Sequence, residues 1–230
     1  MGFVLGLHGA ALSGKDTVAD YLVSQHNWDG KLSFANNLKE MCKAVFLLTD
    51  HDVYDQEGKL KFFDTPRVFT DRNLGSVMYW MARTHPSANI SKSTFSKIKS
   101  LVGKELSNPR HILQFIGTDV CRELVPTYHV DVLVKAVTDN PEGRFVVTDV
   151  RFPNEGDLIQ DKLNGTVIKL ERPNSTSVAN IDRTHASETS MQDWGKFNDI
   201  INNDREGLPL LYEQVDQFLE RSGLCQTPPL

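Results

Sequence analysis

The feature that most constrains this chain is a glycine-rich loop near its N-terminus. Residues 9–17 read Gly-Ala-Ala-Leu-Ser-Gly-Lys-Asp-Thr and follow an apolar run at 3–7. A continuous apolar run is typical of a strand buried on both faces, and residues 15–26 show the apolar spacing of a helix. In such a strand–loop–helix unit, glycines turn backbone N–H groups toward phosphates and the lysine reaches their oxygens. The pattern predicts that Gly9, Ser13, Gly14 and Lys15 bind nucleotide phosphates.

The loop departs from the common pattern at one position, where Asp16 stands in place of a serine or threonine. One interpretation gives Asp16 a role at Mg²⁺, directly or through water, or in orienting an attacking phosphate. The alternative is an acidic residue that stabilises the first turn of a helix by about 0.3–1 kcal/mol. Thr17, one residue later, is a candidate for the hydroxyl that binds the metal. Asp16 and Thr17 are therefore both candidate metal ligands.

Composition narrows the class of protein that contains this loop. The chain has 230 residues, which suits one domain with an inserted subdomain. Its net charge of −5 argues against a sequence-independent nucleic-acid binder, since such proteins usually have an excess of basic residues. Three widely spaced cysteines and an N-terminal apolar run too short to span a membrane predict a reduced, cytoplasmic setting without a membrane partner.

Strands and helices are predicted to alternate along most of the chain. Besides the first strand, strands are predicted at 31–35, 144–150, 166–170 and 199–202. Further helices are predicted at 37–48, 109–124, 130–137 and 154–163, with a last one around Leu211 and Phe218. This order predicts an α/β fold of three layers with a mainly parallel five-stranded sheet. Ligands of such sheets bind at the carboxyl ends of the strands.

Two segments interrupt this order. Residues 49–109 mix polar and aromatic residues and show helical spacing at 75–83 and 93–102, so we predict a largely helical inserted subdomain that covers a substrate. Its aromatic side chains are also a candidate homodimer interface. Residues 172–190 are polar, contain Arg172 and Arg183, and are predicted to form a lid that excludes water. The alternative for this segment is an ordinary surface loop.

A second acidic residue follows the clearest interior strand. The strand predicted at 144–150 includes Asp149, and in proteins with a phosphate-binding loop an aspartate at such a place reaches the Mg²⁺. Arg151 lies two residues later, and its guanidinium suits a phosphate. The alternative for Arg151 is an ion pair with Glu155.

The helix predicted at 109–124 carries a polar stripe. At about 100° per residue, Arg110, Gln114 and Thr118 lie within roughly 80° of arc, so one face offers a cation, an amide and a hydroxyl. The Gly-Thr-Asp segment that ends at Asp119 lets a ligand approach closely. The stripe is a candidate ligand site, and the alternative is a solvated helix face.

Together, these motifs resemble those of the deoxynucleoside monophosphate kinases of tailed bacteriophages. The resemblance runs from the N-terminus to about residue 203 and leaves only 46–109 without a clear match. The matching pieces, in chain order, are Ser-Gly-Lys-Asp-Thr at 13–17, Phe34-Ala35 with Leu38-Lys39, Leu113-Gln114 with Gly117-Thr118-Asp119, Thr-Asp-Val-Arg-Phe-Pro-Asn-Glu at 148–155, Arg172-Pro173, and Thr184-His185 with Ser187-Glu188. An aspartate after the loop lysine is typical of this family.

The resemblance implies a P-loop kinase that uses ATP and Mg²⁺ and transfers the γ-phosphoryl group to a deoxynucleoside 5′-monophosphate. The catalytic residues that it implies are Lys15, Asp16, Arg110, Asp149 and Arg151. It adds Arg172 to the ATP-binding residues and agrees with Asp16, Thr17 and Asp149 as candidate metal ligands. The acceptor-binding residues that it implies are Phe34, Lys39, Arg110, Gln114, Thr118, Asp119, His129, Asp149 and Arg151. Members of the family often have Trp at the position of His129, so this chain offers a smaller ring for stacking on the acceptor base.

Two other functions remain open from the sequence. A P-loop kinase of another small molecule, for example of the dephospho-coenzyme A type, shares the loop but not the later strings. A nucleotide-gated interaction module with slow hydrolysis belongs to a different class, and GTPases of that class bind guanine through an Asn-Lys-x-Asp-like motif, which this sequence lacks. Phosphoryl transfer to a nucleotide acceptor would distinguish a deoxynucleoside monophosphate kinase from both of these alternatives.

Overall fold

The structure is a computed structural model that describes residues 2–85, 88–172, 185–204 and 207–225. The chain forms two compact units. Unit 1 comprises Met1–Ser33 together with Leu133–Leu230, and unit 2 comprises Phe34–Val132. Unit 2 is therefore inserted, in sequence, between the two parts of unit 1.

Strands and helices alternate through unit 1, as the sequence predicts. Over the described residues of both units, the strands are β1 (Phe3–His8), β2 (Gly30–Leu32), β3 (Arg67–Val68), β4 (Glu105–Leu106), β5 (Arg144–Val147), β6 (Gly165–Glu171) and β7 (Asp199–Asn202). The helices are α1 (Lys15–Gln25), α2 (Asn36–Phe46), α3 (Asp50–Tyr54), α4 (Gln56–Leu60), α5 (Asp71–Thr84), α6 (Lys92–Lys99), α7 (Pro109–Gln114), α8 (Tyr128–Thr138), α9 (Pro153–Lys162), α10 (Ala186–Thr189) and α11 (Leu208–Arg221). A π-helix (Phe115–Arg122) continues directly from α7.

Unit 1 is built on a five-stranded sheet in the order β2-β5-β1-β6-β7, and every neighbouring pair of strands is parallel. The central strand is β1, where Leu5 pairs with Val146 of β5 and with Thr166 of β6. Because helices cover both faces of a parallel sheet, its central strand is apolar from Phe3 to Leu7. Accordingly, Val4, Leu5 and Leu7 have no exposed surface. The prediction of an α/β fold with a parallel five-stranded sheet is confirmed.

Helices pack on both faces of this sheet. Leu5 and Leu7 join a core cluster that includes Leu22 of α1 and Phe218 of α11. Gly6 lies between them, so it points to the opposite face. A Cβ on Gly6 would lie 2.8 Å from Cδ1 of Ile159 in α9, and this close approach of α9 explains a glycine in the middle of a strand.

Unit 2 is largely helical. Helices α2, α5 and α7 and the π-helix share one apolar core, in which Met41, Val77, Ile112 and Phe115 are buried. Strands β3 and β4 add a two-stranded antiparallel sheet. The unit is wider than the insertion predicted at 49–109, because α2 and α7 bury their apolar faces in the same core as α5.

The structure corrects the bounds of some predicted elements. The strand predicted at 144–150 ends at Val147, so Asp149 lies beyond the strand rather than within it. The strand predicted at 31–35 is only Gly30–Leu32, because residues 34–35 form a turn that leads into α2. The helix predicted at 109–124 is α-helical only to Gln114 and continues as the π-helix, in which i→i+5 hydrogen bonds replace the i→i+4 bonds. Of the predicted lid at 172–190, residues 173–184 lie outside the described part of the chain. Within the described ranges, no helix is long and apolar enough to cross a membrane.

Candidate active site

The predicted phosphate-binding loop joins β1 to α1 in unit 1. The Lys15 ammonium donates hydrogen bonds to the carbonyl oxygens of Gly9 (2.8 Å) and Ala10 (2.7 Å) and to Ser13 Oγ (3.4 Å). The lysine side chain therefore folds back over the loop that precedes it. Gly14 is the residue before α1, and its φ of 104° is a left-handed conformation that glycine adopts without strain.

Gly9 is required for a different reason, namely space. A Cβ at this position would lie 2.5 Å from the carbonyl oxygen of Leu170 and 2.6 Å from Ser13 Oγ. Leu170 belongs to β6, so the loop begins in direct contact with the neighbouring strand. Any larger residue at Gly9 would displace the start of the loop.

Two side chains from the ends of neighbouring strands hold the loop. Arg172 follows β6, and its Nη1 donates to the carbonyl oxygen of Leu12 at 2.8 Å. Asn203 follows β7, and its Nδ2 donates to the carbonyl oxygen of Ser13 at 2.9 Å. The Nε of Arg172 is buried and has no hydrogen-bond partner among the described residues. Sequence reasoning included Arg172 but missed Asn203, because one asparagine after a strand looks like an ordinary turn residue.

The Lys15 ammonium is poorly solvated, and this lowers its pKa. Burial, and then the positive charge of Arg151, lower the pKa of Lys15 from 10.5 to about 8, while Asp16, Glu188 and Asp149 act in the opposite direction. A bound polyphosphate would favour the charged form of the lysine and raise this pKa again. A strongly lowered pKa in a loop of this type is typical of a functional site.

The oxygen ligands predicted for a metal come from two places in unit 1. Asp149 follows β5, and its Oδ2 accepts a 2.7 Å hydrogen bond from Oγ of Ser33, which follows β2. Asp16 is exposed and Thr17 is partly buried in the first turn of α1. Carboxylate and hydroxyl oxygens are hard ligands that suit Mg²⁺, which typically binds one or two carboxylates and the substrate phosphates. In the part of the chain that the structure describes, no group of three or more His, Cys, Asp or Glu residues could hold a metal by itself.

Arg151 is held at both its backbone and its side chain. Its Nη1 donates to Oε1 of Glu188 at 2.6 Å and to the carbonyl oxygen of Ser187 at 3.2 Å. Glu155 is 1% exposed, and its Oε2 accepts the backbone N–H groups of Arg151 and Phe152 at the start of α9. The alternative of an ion pair between Arg151 and Glu155 is therefore wrong. The carboxylate that pairs with the guanidinium is Glu188, 37 positions away in sequence.

The predicted polar stripe lies in unit 2, on α7 and the π-helix. Arg110 is only 8% exposed, so it does not belong to a solvated helix face. Nε2 of Gln114 is buried without a hydrogen-bond partner among the described residues. Thr118 lies in the π-helix, where the assumed angle of about 100° per residue does not apply. Asp119 lies 3.5 Å from Nζ of Lys104, an ion pair that the spacing of residues did not show.

The other predicted acceptor-binding residues of unit 2 are more enclosed than their sequence context indicates. His129 is 4% exposed, and its Nδ1 and Nε2 each lie 3.3 Å from a carbonyl oxygen, that of Phe34 and that of Gly117. Its ring therefore has little free surface on which a base could stack. Phe34 is 2% exposed, and the Lys39 ammonium lies 4.7 Å from the centre of the Tyr54 ring.

The fold and the loop of unit 1 define a class of protein. In P-loop phosphotransferases, a lysine in a glycine-rich loop lies at the carboxyl ends of the strands of a parallel sheet, where a carboxylate follows another strand. Unit 1 has this arrangement. Residues 4–215 match the family model of the deoxynucleotide monophosphate kinases. The chain therefore belongs to the deoxynucleotide monophosphate kinase family.

Individual proteins agree with this assignment. A protein of Acanthamoeba polyphaga mimivirus that carries the name of a deoxynucleotide monophosphate kinase is 31% identical over 96% of this chain and 97% of its own length. The deoxynucleoside-5′-monophosphate kinase of Escherichia phage T5 is 27% identical over 70% of this chain and 73% of its own. The predictions of a phosphotransferase and of small-molecule nucleotides as its substrates are confirmed.

Among solved structures, the chain is similar to a dephospho-CoA kinase from Campylobacter jejuni, with a TM-score of 0.42, 13% identity, and coverage of 95% of this chain and 97% of the other. A likeness of this size says nothing about the substrate of this chain.

Proposed function

We propose that this protein transfers the γ-phosphoryl group of ATP to a deoxynucleoside 5′-monophosphate and releases ADP and a deoxynucleoside diphosphate. The observation that carries this proposal is the Lys15 ammonium, held against the loop carbonyls of Gly9 and Ala10 in a chain of the deoxynucleotide monophosphate kinase family. The mimivirus and phage T5 relatives, whose names specify this substrate class, support it.

Unit 1 binds the phosphoryl donor. The loop between β1 and α1 directs its backbone N–H groups and the N-terminus of α1 at the polyphosphate of ATP. Lys15 neutralises negative charge that develops on the transferring group and on the leaving ADP oxygen. Arg172, whose Nη1 holds the loop at Leu12, has a buried Nε that is available for a phosphate oxygen.

Mg²⁺ fits the donor set of unit 1. Asp149, Thr17 and Asp16 offer hard oxygen ligands that would hold the ion together with the phosphates of ATP. The metal supplies charge neutralisation at the phosphate oxygens. The hydrogen bond from Ser33 to Asp149 fixes the orientation of this carboxylate, so that its second oxygen keeps one direction.

Unit 2 binds the acceptor. Arg110 in the first turn of α7 offers a guanidinium, and Gln114 at the last position of α7 offers an amide whose buried Nε2 gains a partner when a polar ligand binds. A guanidinium forms two parallel hydrogen bonds with a phosphate, which fixes both its position and its orientation. Thr118 adds a hydroxyl for the nucleoside.

The reaction needs no covalent intermediate with the enzyme. An oxygen of the acceptor phosphate attacks the γ-phosphorus of ATP, a new P–O bond forms, and the bond from that phosphorus to the bridging oxygen of ADP breaks. The charges are carried by the phosphate oxygens throughout, so the contribution of the protein is positioning and electrostatic stabilisation. Arg151 stabilises the transferring group, and its pairing with Glu188 holds the guanidinium in place.

The test is direct measurement of diphosphate products. The protein is incubated with Mg-ATP and each of the four common deoxynucleoside monophosphates, with the matching ribonucleotides and dephospho-coenzyme A as further acceptors. We expect transfer to at least one deoxynucleotide, loss of transfer in Lys15→Ala, and normal transfer in Lys162→Ala, where the replaced lysine is exposed. Steady ATP hydrolysis with no transfer to any deoxynucleotide would refute the proposal, and transfer to dephospho-coenzyme A alone would replace it.

A further inference from the structure

Asn203 touches the phosphate-binding loop from the end of β7, the edge strand of the sheet. Its backbone N–H donates to the carbonyl oxygen of Glu171 at 2.7 Å, which continues the pairing of β6 with β7 by one residue. The backbone of Asn203 is thus tied to the sheet. Its side-chain Nδ2 then reaches the carbonyl oxygen of Ser13 at 2.9 Å, across 190 positions of sequence.

This contact determines the direction of one peptide group in the loop. A peptide bond is planar and trans, so its C=O and its N–H point in opposite directions. When Asn203 holds the carbonyl oxygen of Ser13, the N–H of Gly14 in the same peptide must point away from Asn203. Gly14 also makes room for the contact, because a Cβ on it would lie 2.7 Å from Nδ2 of Asn203.

Arg172 acts in the same way on the preceding peptide. Its Nη1 holds the carbonyl oxygen of Leu12 at 2.8 Å, and the loop has Leu12 at a φ of 63°, a conformation that is unfavourable for a residue with a side chain. A strained loop keeps one conformation only when its surroundings hold it. Two consecutive carbonyl groups are thus held from the ends of β6 and β7.

We propose that Asn203 is a positioning residue for the phosphate site, which fixes the peptide between Ser13 and Gly14 so that the Gly14 N–H is presented to the polyphosphate before it binds. This inference rests on the proposed function, since it assumes that the loop binds a polyphosphate. Asn203 touches no reacting atom in this scheme. Because Asn203 holds the loop in its binding conformation, the loop does not have to rearrange when the polyphosphate binds.

The experiment compares two substitutions of the same chemistry at adjacent positions. Asn203→Asp replaces the amide donor by a carboxylate oxygen that repels the Ser13 carbonyl, whereas Asn202→Asp adds the same charge at an exposed side chain. The readouts are KM for ATP, KM for the deoxynucleotide, the affinity for inorganic tripolyphosphate by direct calorimetry, and the melting temperature. Asn203→Ala, which removes the donor without adding charge, is measured alongside.

We expect Asn203→Asp to raise KM for ATP about tenfold or more, since a lost hydrogen bond of about 1.4 kcal/mol corresponds to that factor. Tripolyphosphate affinity falls by a similar factor, KM for the deoxynucleotide is unchanged, and Asn203→Ala shows a smaller effect of the same kind. Asn202→Asp behaves as wild type. Equal effects of the two aspartate variants would overturn the inference, because the added charge alone would then explain the result. A rise in KM for ATP with tripolyphosphate affinity unchanged would also overturn it, because Asn203 would then act on the nucleoside rather than on the phosphates.

Failure of this inference is distinguishable from failure of the proposed function. If wild type transfers phosphoryl groups and Asn203→Asp matches it, only the positioning role is lost. If wild type transfers to no deoxynucleotide, the function is wrong, and the tripolyphosphate titration still decides whether Asn203 shapes the loop.

Discussion

Replacing Lys15 by methionine is expected to abolish phosphoryl transfer and to stabilise the nucleotide-free protein. Burial and the neighbouring Arg151 lower the pKa of Lys15 from 10.5 to about 8. A shift of one pKa unit corresponds to about 1.36 kcal/mol, so the charged Lys15 ammonium destabilises the folded protein by about 3 kcal/mol at neutral pH. Methionine fills a similar volume and carries no charge, so this cost disappears in the variant.

The gain is partly offset by lost hydrogen bonds. The ammonium bonds the carbonyl oxygens of Gly9 and Ala10, and leaving such groups without a donor costs about 1–3 kcal/mol. The net stabilisation of Lys15→Met is then about 1 kcal/mol, or about 2–4 °C in melting temperature for a chain of this size. The sign is opposite to that of most substitutions, which destabilise.

The pH dependence follows from the direction of the shift. Because the folded pKa of Lys15 is below its unfolded value, the cost of the charge is fully present below pH 8 and vanishes as the pH rises from about 8 to 10.5. The advantage of Lys15→Met over wild type therefore shrinks through this window. The assay is denaturant unfolding without nucleotide, at neutral pH and between about pH 9 and 10. Lys162→Met, at an exposed lysine, is the matched control and should lie within about 0.5 kcal/mol of wild type. If Lys15→Met is less stable than both proteins at neutral pH, the reasoning from desolvation is refuted.

Three further predictions concern other parts of the chain. Arg110→Ala should raise KM for the deoxynucleotide about tenfold or more, because a charged hydrogen bond contributes about 1.5–3 kcal/mol. KM for ATP should be unchanged. An equal change in both constants would contradict the acceptor role. Gly156→Ala should lower the free energy of unfolding by about 1–3 kcal/mol, because its Cβ would lie 2.4 Å from the Trp194 ring. The control is Gly75→Ala in α5, which has open space around it and should raise the free energy of unfolding by about 0.5–1 kcal/mol. Denaturant unfolding measures both changes. Burial and a hydrogen bond to Asp216 raise the pKa of Tyr21 to about 12, so this phenol should ionise at a higher pH than an exposed tyrosine in an ultraviolet titration. Asp216→Asn should lower the pKa of Tyr21. An unchanged titration curve in this variant would show that Asp216 does not affect Tyr21.

The parts of the fold that were predicted from the sequence are those with a local cause. The run at 3–7 is apolar because β1 is buried on both faces, and the glycines and Lys15 follow from the geometry of a phosphate loop. The strand predicted at 199–202 has the bounds found in the structure. The two-residue strands β3 and β4 were missed, because elements this short show no periodicity.

The parts that were missed depend on contacts between distant segments. The partner of Arg151 is Glu188 rather than the nearby Glu155, and nothing in the local sequence distinguishes the two carboxylates. The π-helix arises within a run whose apolar spacing suits an α-helix, since one extra residue in a turn leaves no clear mark on the sequence. Asn203 acquires its role only when β7 pairs with β6 and brings it to the loop.

The insertion of unit 2 between β2 and β5 has a consequence for synthesis on the ribosome. Both sheet partners of β1, and the sole partner of β2 in the described sheet, lie after residue 143. About 135 residues separate β1 from β5, so at about 5–20 residues per second the loop-bearing strand remains without its first neighbour for about 7–27 s. All of unit 2 leaves the ribosome in that interval. The nascent chain therefore carries an unpaired apolar strand while all of unit 2, which contains its own apolar core, has already been synthesised.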